Sequence, residues 1–324
     1  MGAEKVCGGL ISPDTQEILA RYGLSLPKDV LASPQLFSVK TIDLKDGYTK
    51  YYRRNYINVS RHRFDEFMRS MIPEDVGCIQ GRCVRIGKTE NGYCVTVRSN
   101  GVDTSYECRY LIGADGASSV VRRELFPDKR IYSYVAIQQW FKAEGEDPFY
   151  SCVFDNETSS GCSWIFFKDG KMIFGGAFEP CGCREAFETQ KNKLERLGIV
   201  EGELIRDPIK TEACRVLRPK LFRGIYLGKG GAFLCGEAAG LISPSSFEGI
   251  SYALESSEAL ADAFARSWEK KLSIERAYRS AVLSLRIKIA LKCIKRPFMY
   301  DSTLRRSVMT SGLMAIKMRK DKSH

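Results

Sequence analysis

The sequence predicts an α/β fold, α+β in overall content, in which an antiparallel β region interrupts an α/β domain and basic helices follow. Three observations lead to this prediction. A strand–turn–helix junction occurs near residues 111–122 and a second near 232–244, strand patterns fill residues 131–178 between them, and residues 270–320 have helical periodicity. The predicted domains are residues 1–130, 131–222, 223–268 and 269–324, with 36–59 joining the sheet of the second domain.

The first part of the chain alternates helix and strand signals. Residues 13–22 predict a helix that starts at Pro13, and residues 62–72 predict another that stops at Pro73. Residues 36–59 predict a hairpin around Asp46-Gly47. Three strands should follow between residues 83 and 113, because Asn-Gly pairs at 91–92 and 100–101 are strong hairpin turns.

The second part continues with strands and ends in helices. The segments YVAIQQWF, FYSCVFD, CSWIFF and KMIFGGAF predict four strands, and residues 184–197 predict a polar helix. Residues 225–235 predict one strand, followed by a long helix from Pro244 to Trp268. The basic helices of residues 270–320 should break near Pro297.

Composition limits the kinds of chemistry. The chain has 324 residues, of which 44% are hydrophobic and 27% charged, as in ordinary globular proteins. Its twelve cysteines are scattered without zinc-type pairs, which predicts reduced thiols in a cytoplasmic protein and no metal site. The only histidines, His62 and His324, disfavour a nucleophile activated by a histidine base. We therefore expect the chemistry to come from a bound cofactor.

Two junctions could hold that cofactor. Asp115-Gly116 follows an apolar strand, where the carboxylate could bind ligand hydroxyls or could simply form the turn. Gly236-Glu237-Ala238-Ala239-Gly240 follows the second strand, and its small residues would allow close approach of a ligand or equally of the protein's own backbone. Pro244 suits the first position of a helix, whose N-terminus attracts negative groups.

These motifs resemble a known family. The pattern Asp115-Gly-x-x-Ser119-x-x-Arg122, followed by Gly236-Glu-Ala-Ala-Gly240-x-x-x-Pro244, resembles FAD-dependent oxidoreductases related to p-hydroxybenzoate hydroxylase. Within them the chain is similar to the geranylgeranyl reductase group and, through KVCGGLISPD and GEAAGLISPSSFEGISYAL, to CbrA-like proteins. The resemblance implies a three-layer FAD/NAD(P)-binding domain with an antiparallel β substrate domain.

The resemblance also implies positions for the cofactor FAD. Asp115 would lie near the ribityl and pyrophosphate groups, Glu237 would bind the ribityl chain, and the Cys7-Gly8-Gly9 loop would lie beside the flavin. The implied FAD-binding residues are Cys7, Gly8, Gly9, Arg61, Asp115, Gly116, Gly236, Glu237, Ala238, Gly240 and Pro244. We predict no catalytic residue, although Cys7 is a candidate for a reactive thiol.

A substrate pocket is implied by residues 162–167. This stretch matches the YxWxFP motif of the reductases, which lines a lipid cavity, but Cys162 replaces the tyrosine and Phe167 the proline. The implied pocket residues are Trp164, Phe166, Phe174 and Gly175, although the aromatic ones could equally be plain β core. The predicted function is reduction of a double bond, or hydroxylation, of a small apolar or isoprenoid-like substrate, with an unknown electron donor.

One part of the family pattern is missing from the sequence. Relatives begin with a strand, a GxGxxG turn and a helix that hold the FAD pyrophosphate, and this chain contains no such unit. We expect the chain to be an N-terminally truncated fragment, in which the missing pyrophosphate-binding unit could cost activity. The alternative is a degenerate flavoprotein fold that serves as a non-catalytic membrane-surface or partner-binding protein.

The basic charge is concentrated at one end. Residues 266–324 contain 16 Lys and Arg against 4 acidic residues, so the rest of the chain sums to −1 of the total +11. One helical face of residues 279–298 carries Leu283, Ile287, Ala290, Leu291, Ile294 and Phe298. It could contact anionic lipids at the inner membrane surface or pack on the protein; no motif favours nucleic acid.

Overall fold

The computed structural model describes residues 6–144, 147–221 and 223–318. Contacts divide these residues into two units, which we name after their sheets. The large-sheet unit contains residues 6–70, 134–216 and 295–318, and the small-sheet unit contains 71–133 and 217–294. Residues 1–5 of the first predicted domain and residues 319–324 of the basic region, with His324, lie outside the described residues.

The secondary structure alternates between strands and helices. The described strands are β1 (Leu10–Ile11), β2 (Ser38–Asp43), β3 (Tyr48–Tyr52), β4 (Ile57–Asn58), β5 (Arg82–Lys88), β6 (Tyr93–Ser99), β7 (Val102–Cys108), β8 (Leu111–Gly113), β9 (Ser133–Lys142), β10 (Phe149–Phe154), β11 (Ser163–Lys168), β12 (Lys171–Phe178), β13 (Lys210–Leu217), β14 (Gly228–Lys229) and β15 (Ala232–Leu234). The described helices are α1 (Pro13–Arg21), α2 (Arg61–Ser70), α3 (Val120–Leu125), α4 (Cys183–Arg196), α5 (Gly202–Arg206), α6 (Ile250–Lys270), α7 (Ile274–Ala281), α8 (Leu283–Tyr300) and α9 (Ser302–Ser311), with 3₁₀ turns at Lys28–Val30 and Gly236–Ala239.

The large-sheet unit is built on a seven-stranded sheet in the order β13-β9-β12-β11-β10-β2-β3. The predicted hairpin of residues 36–59 forms as β2 and β3 and lies in this sheet. The predicted antiparallel sheet also contains one parallel pair, because β2 runs parallel to β10. A parallel pair needs a long connection, and here the chain passes through the small-sheet unit between the two strands.

One face of this sheet packs against α4. The Phe187 ring of α4 lies 4.9 Å from Phe174 and 5.8 Å from Phe178, and all three side chains are fully buried. Aromatic pairs of this kind each contribute about 0.5–1.5 kcal/mol beyond the area they bury. The helix ends as predicted, because Gly198 follows it with a φ of +64°.

The small-sheet unit contains two three-stranded sheets. Its β5-β6-β7 sheet confirms the two predicted Asn-Gly hairpins, and its second sheet has the order β14-β15-β8 with β15 parallel to β8. The single strand predicted for residues 225–235 is wrong. Gly228, Gly230 and Gly231 all have positive φ and fold this stretch into the short β14–β15 hairpin. The Tyr278 hydroxyl of α7 donates to the Leu234 carbonyl at 2.8 Å and fixes the helix on β15.

Two predicted helix boundaries also differ. Residue Ile250, not Pro244, begins the long helix α6. Helix α8 continues through Pro297 to Tyr300 instead of breaking, because a proline near the last turn removes only one hydrogen bond. Within residues 6–144, 147–221 and 223–318, no helix is both long and apolar enough to cross a membrane.

Candidate functional site

The two predicted junctions lie side by side in the small-sheet unit. Strands β8 and β15 are parallel neighbours with Gly113 opposite Leu234, so both strands end at the same edge. The Cys235 N–H donates to the Gly113 carbonyl at 3.1 Å just beyond the last paired residues. Because ligands of open α/β sheets bind beyond the carboxyl ends of such strands, this edge is the candidate cofactor-binding edge of the unit.

Arg122 ties the two junctions together. Its side chain is buried, and the guanidinium donates to the Ala117 carbonyl at 2.5 Å, to Ala238 at 2.6 Å and to Glu237 at 3.4 Å. These carbonyls belong to the loop after β8 and the turn after β15. The sequence shows Arg122 only as part of a motif. Its exposed neighbour Arg123 lies in the same turn, so the local sequence does not distinguish the buried arginine from the exposed one.

The carboxylate of Asp115 supports α3. Its Oδ2 accepts hydrogen bonds from the N–H groups of Val120 at 2.6 Å and Val121 at 3.3 Å, while Ser119 caps the helix by accepting from Arg122 N–H at 2.9 Å. Asp115 is solvent-exposed, and the space where Gly116 would carry a side chain is empty to 4 Å. The residue therefore has a structural role and still borders open space in which a ligand could lie.

The turn after β15 is packed against its own protein. Glu237 is buried, and its Oε1 accepts from the Leu217 N–H at 2.9 Å. The Gly236 N–H donates to the Ser256 hydroxyl at 2.8 Å. Gly240 has a φ of +79°, and a Cβ there would lie 2.0 Å from the Gly224 carbonyl oxygen. The small size of Gly240 is thus required by close approach of the protein's own backbone, and Ala238 is likewise fully buried.

Pro244 does not begin a helix. Its carbonyl accepts from Arg218 Nε at 2.9 Å in a loop that precedes α6. Within this loop the Ser243 hydroxyl accepts from the Ser246 N–H at 3.3 Å, and serines that bond local backbone in this way compete with helix formation. Phe247 has a φ of +55°, which a helix does not permit. Any effect of the α6 N-terminus on a ligand therefore arises at Ile250.

The predicted Cys7-Gly8-Gly9 loop lies in the large-sheet unit and is held by Lys168. The buried Lys168 ammonium, at the end of β11, donates to the Gly8 and Val59 carbonyls, both at 2.6 Å. Burial lowers the pKa of Lys168 to about 8, although Cys7 and Asp169 oppose this. The role of Lys168 is not predictable from the sequence, because nothing in a strand sequence shows which end residue contacts a distant loop.

Both glycines of this loop are required by packing. A Cβ at Gly8 would lie 2.9 Å from the Phe166 ring, and one at Gly9, where φ is +67°, would lie 2.3 Å from the Val59 carbonyl oxygen. The loop thus lies directly on Phe166.

Arg61 contacts the same loop. It pairs with Asp65 at 2.8 Å and also interacts with the Cys7 thiol. Burial acts to lower the pKa of Arg61, but Cys7 and Asp65 outweigh it and the pKa is raised. Arg61, predicted from the resemblance, is therefore brought together with Cys7.

Three of the four predicted pocket residues share one face of the large sheet. Trp164 on β11 pairs with Gly175 on β12, where a Cβ would lie 2.6 Å from the indole nitrogen, and Phe166 is two residues further along. Phe174 belongs to the opposite face, where it stacks on Phe187. Phe174 therefore does not share a surface with the other three predicted residues, because successive strand residues point to opposite faces.

This face also carries polar groups that no sequence motif indicated. Glu212 accepts from Gln138 Nε2 at 2.9 Å and from Trp140 Nε1 at 2.8 Å. Burial acts to raise the pKa of Glu212, but hydrogen bonds from Lys210, Gln138 and Trp140 lower it. Among the described residues, buried Gln138 Oε1 and Trp164 Nε1 have no hydrogen-bond partner.

Comparisons with known proteins identify the fold. No family model matches the chain. Protein CbrA of Escherichia coli is 44% identical over 321 residues, which cover 99% of this chain and 86% of that protein.

Several solved structures share the fold of this chain. A geranylgeranyl bacteriochlorophyll reductase-like protein from Thermoplasma acidophilum is 16% identical with a TM-score of 0.75, covering 94% of this chain and 81% of that one. PqsL, a probable FAD-dependent monooxygenase from Pseudomonas aeruginosa, is 16% identical with a TM-score of 0.68, covering 95% and 90%. HpxO of Klebsiella pneumoniae, solved with FAD and uric acid, is 17% identical with a TM-score of 0.61, covering 95% and 84%. The predicted fold class is confirmed.

Proposed function

Since this chain belongs to the CbrA family and has the fold of FAD-dependent reductases and monooxygenases, we propose that it binds FAD and acts as an oxidoreductase on a small apolar substrate. The observation that carries the proposal is the shared edge of β8 and β15. There Asp115 and Glu237 lie just beyond the ends of neighbouring parallel strands, and the buried Arg122 joins the two segments.

The residues of this edge suit a polyhydroxyl chain. Asp115 is exposed beside the open space at Gly116, so its carboxylate could accept hydrogen bonds from ribityl hydroxyls without leaving α3. Glu237 would act through the turn that it anchors on Leu217. The small residues of that turn would hold its shape, because the protein's own atoms occupy the space around them: Gly236, Ala238 and Gly240.

The large-sheet unit is considered by itself. Within it, the family resemblance supports the Cys7-Gly8-Gly9 loop, held by Lys168 and flanked by Arg61, as a flavin-contacting segment. The face with Trp164, Phe166 and Gly175 would orient the substrate and exclude water. Bound flavin would supply the hydride-transfer or oxygen-transfer chemistry, and the protein's part is binding and orientation.

Flavin binding is the first test. The purified full chain is titrated with FAD, and quenching of flavin fluorescence and the visible flavin band retained after desalting are measured. We expect saturable binding, and Asp115→Asn, which keeps an acceptor for the Val120 N–H but removes the charge offered to the ribityl hydroxyls, should weaken it about tenfold. Glu124→Gln, on the exposed side of α3, is the matched control and should bind like the parent protein. Absence of saturable binding in the folded parent protein would refute the proposal.

The type of reaction is tested on the flavin-loaded protein. Adding NADH or NADPH without oxygen and following loss of the visible band identifies the electron donor. The reduced protein is then given an apolar alkene or an aromatic compound, with and without dioxygen. Reoxidation by the alkene alone indicates a reductase, and oxygen-dependent product formation indicates a monooxygenase. Failure of both reactions in protein that holds FAD would refute catalysis while leaving cofactor binding intact.

A further inference from the structure

Helix α8 carries an apolar stripe that faces solvent. Five large side chains at spacings of 4, 4, 3 and 4 residues fall on one side of the helix, with between 50% and 61% of each exposed: Leu283, Ile287, Leu291, Ile294 and Phe298. The opposite side packs inward through Leu285 and Ile289, which are 3% and 2% exposed. The helix therefore packs on the core through a different face, and the apolar stripe remains exposed to solvent.

Basic side chains flank the stripe. At about 100° per residue, Arg286 falls on one side of it and Lys295 on the other, and both are exposed. Lys288 and Lys292 point inward, lying 5.5 and 5.3 Å from the Tyr252 ring. The sequence of α8, LSLRIKIALKCIKRPFMY, contains five basic residues and no acidic one. The exposed surface thus combines aliphatic side chains with positive charge.

We propose that α8 docks this protein on an anionic lipid surface, with the stripe inserted among the headgroups and Arg286 and Lys295 at the phosphates. Charge complementarity favours this occupant, because residues 266–324 carry 16 basic and 4 acidic residues while the rest of the chain is nearly neutral. A nucleic acid would use the charges but leave the stripe in water. A helix lying in the plane of the interface satisfies both properties.

The inference is independent of FAD binding, and its test is a vesicle assay. The full chain is sedimented with phosphatidylcholine vesicles that contain phosphatidylglycerol and, separately, with phosphatidylcholine alone. We expect binding to the anionic vesicles, weakened by added salt. Ile287→Glu/Leu291→Glu should weaken binding at least about tenfold, since two aliphatic groups no longer insert. Arg286→Gln and Lys295→Gln should each weaken it about fivefold.

Val102→Glu/Ile209→Glu is the matched control. It adds the same charge at exposed aliphatic positions outside α8, 65% and 57% exposed, and should bind like the parent protein. Circular dichroism verifies that each variant is folded. Failure of the folded parent protein to bind anionic vesicles at low salt, or equal binding by the α8 variant and the control, overturns the proposal. A parent dimer that Ile287→Glu/Leu291→Glu converts to a monomer, without vesicle binding, would instead assign the stripe to a second copy of the chain.

Discussion

Replacing Arg122 with alanine should destabilise the small-sheet unit strongly. The change removes hydrogen bonds to the Ala117, Glu237 and Ala238 carbonyls and leaves the two nearest acceptors without their buried donor. Hydrogen bonds to a charged group contribute about 1.5–3 kcal/mol each, and the bond to Glu237, at 3.4 Å, adds little. We therefore expect a loss of about 3–5 kcal/mol, a large part of the about 5–15 kcal/mol that stabilises a typical domain.

The assay is urea unfolding followed by circular dichroism. With a slope of about 2–3 kcal/mol per molar urea, the midpoint should fall by about 1–2 M. Arg123→Ala is the matched control. This neighbouring arginine is exposed and donates to the Ser118 carbonyl at 2.6 Å, so its loss should be worth less than about 1 kcal/mol. If both variants unfold at the same urea concentration, Arg122 does not hold the two loops together.

Three further predictions test other parts of the structure. Gly240→Ala should lower the melting temperature more than Gly116→Ala, because both have positive φ but only the first would place a Cβ against backbone, at 2.0 Å. Lys168 has a pKa of about 8 in the folded chain and about 10.4 in the unfolded chain. Between these two pH values the folded chain binds fewer protons, so the free energy of unfolding should rise with pH. Lys168→Met should flatten that rise in urea midpoints measured against pH; an unchanged slope would contradict the assignment. Arg305→Ala should lower the free energy of unfolding in urea by about 3–5 kcal/mol, since it breaks the ion pair with Asp43, whose two side chains are both 4% exposed. Arg306→Ala breaks an exposed pair with Asp46 and should cost less than about 1 kcal/mol. Equal effects of the two variants would show that burial does not decide the strength of these pairs.

Local signals in the sequence determined most of the elements. The Asn-Gly turns set two hairpins and Pro13 marked a helix start, as predicted; Ser119 caps α3 and Gly198 follows the end of α4. These features depend on backbone preferences of a few adjacent residues, which is why they are readable without the fold. The same locality explains the wrong start of α6. Pro244 is a good first helical residue, but serine side chains and Phe247 at positive φ shape the loop instead.

The contacts within the candidate site join residues that come close to one another only after folding. The sequence determined the fold class, the two junction motifs and the amphipathic character of α8, because each is written in a continuous stretch. Tertiary structure decided that Phe174 faces α4, that Lys168 lies beneath the Cys7 loop, and that the apolar stripe of α8 faces solvent. It also decided that Arg122 joins two loops more than 100 residues apart in sequence. The physical reason is that a side chain's partners depend on strand register and helix packing, which join residues distant along the chain.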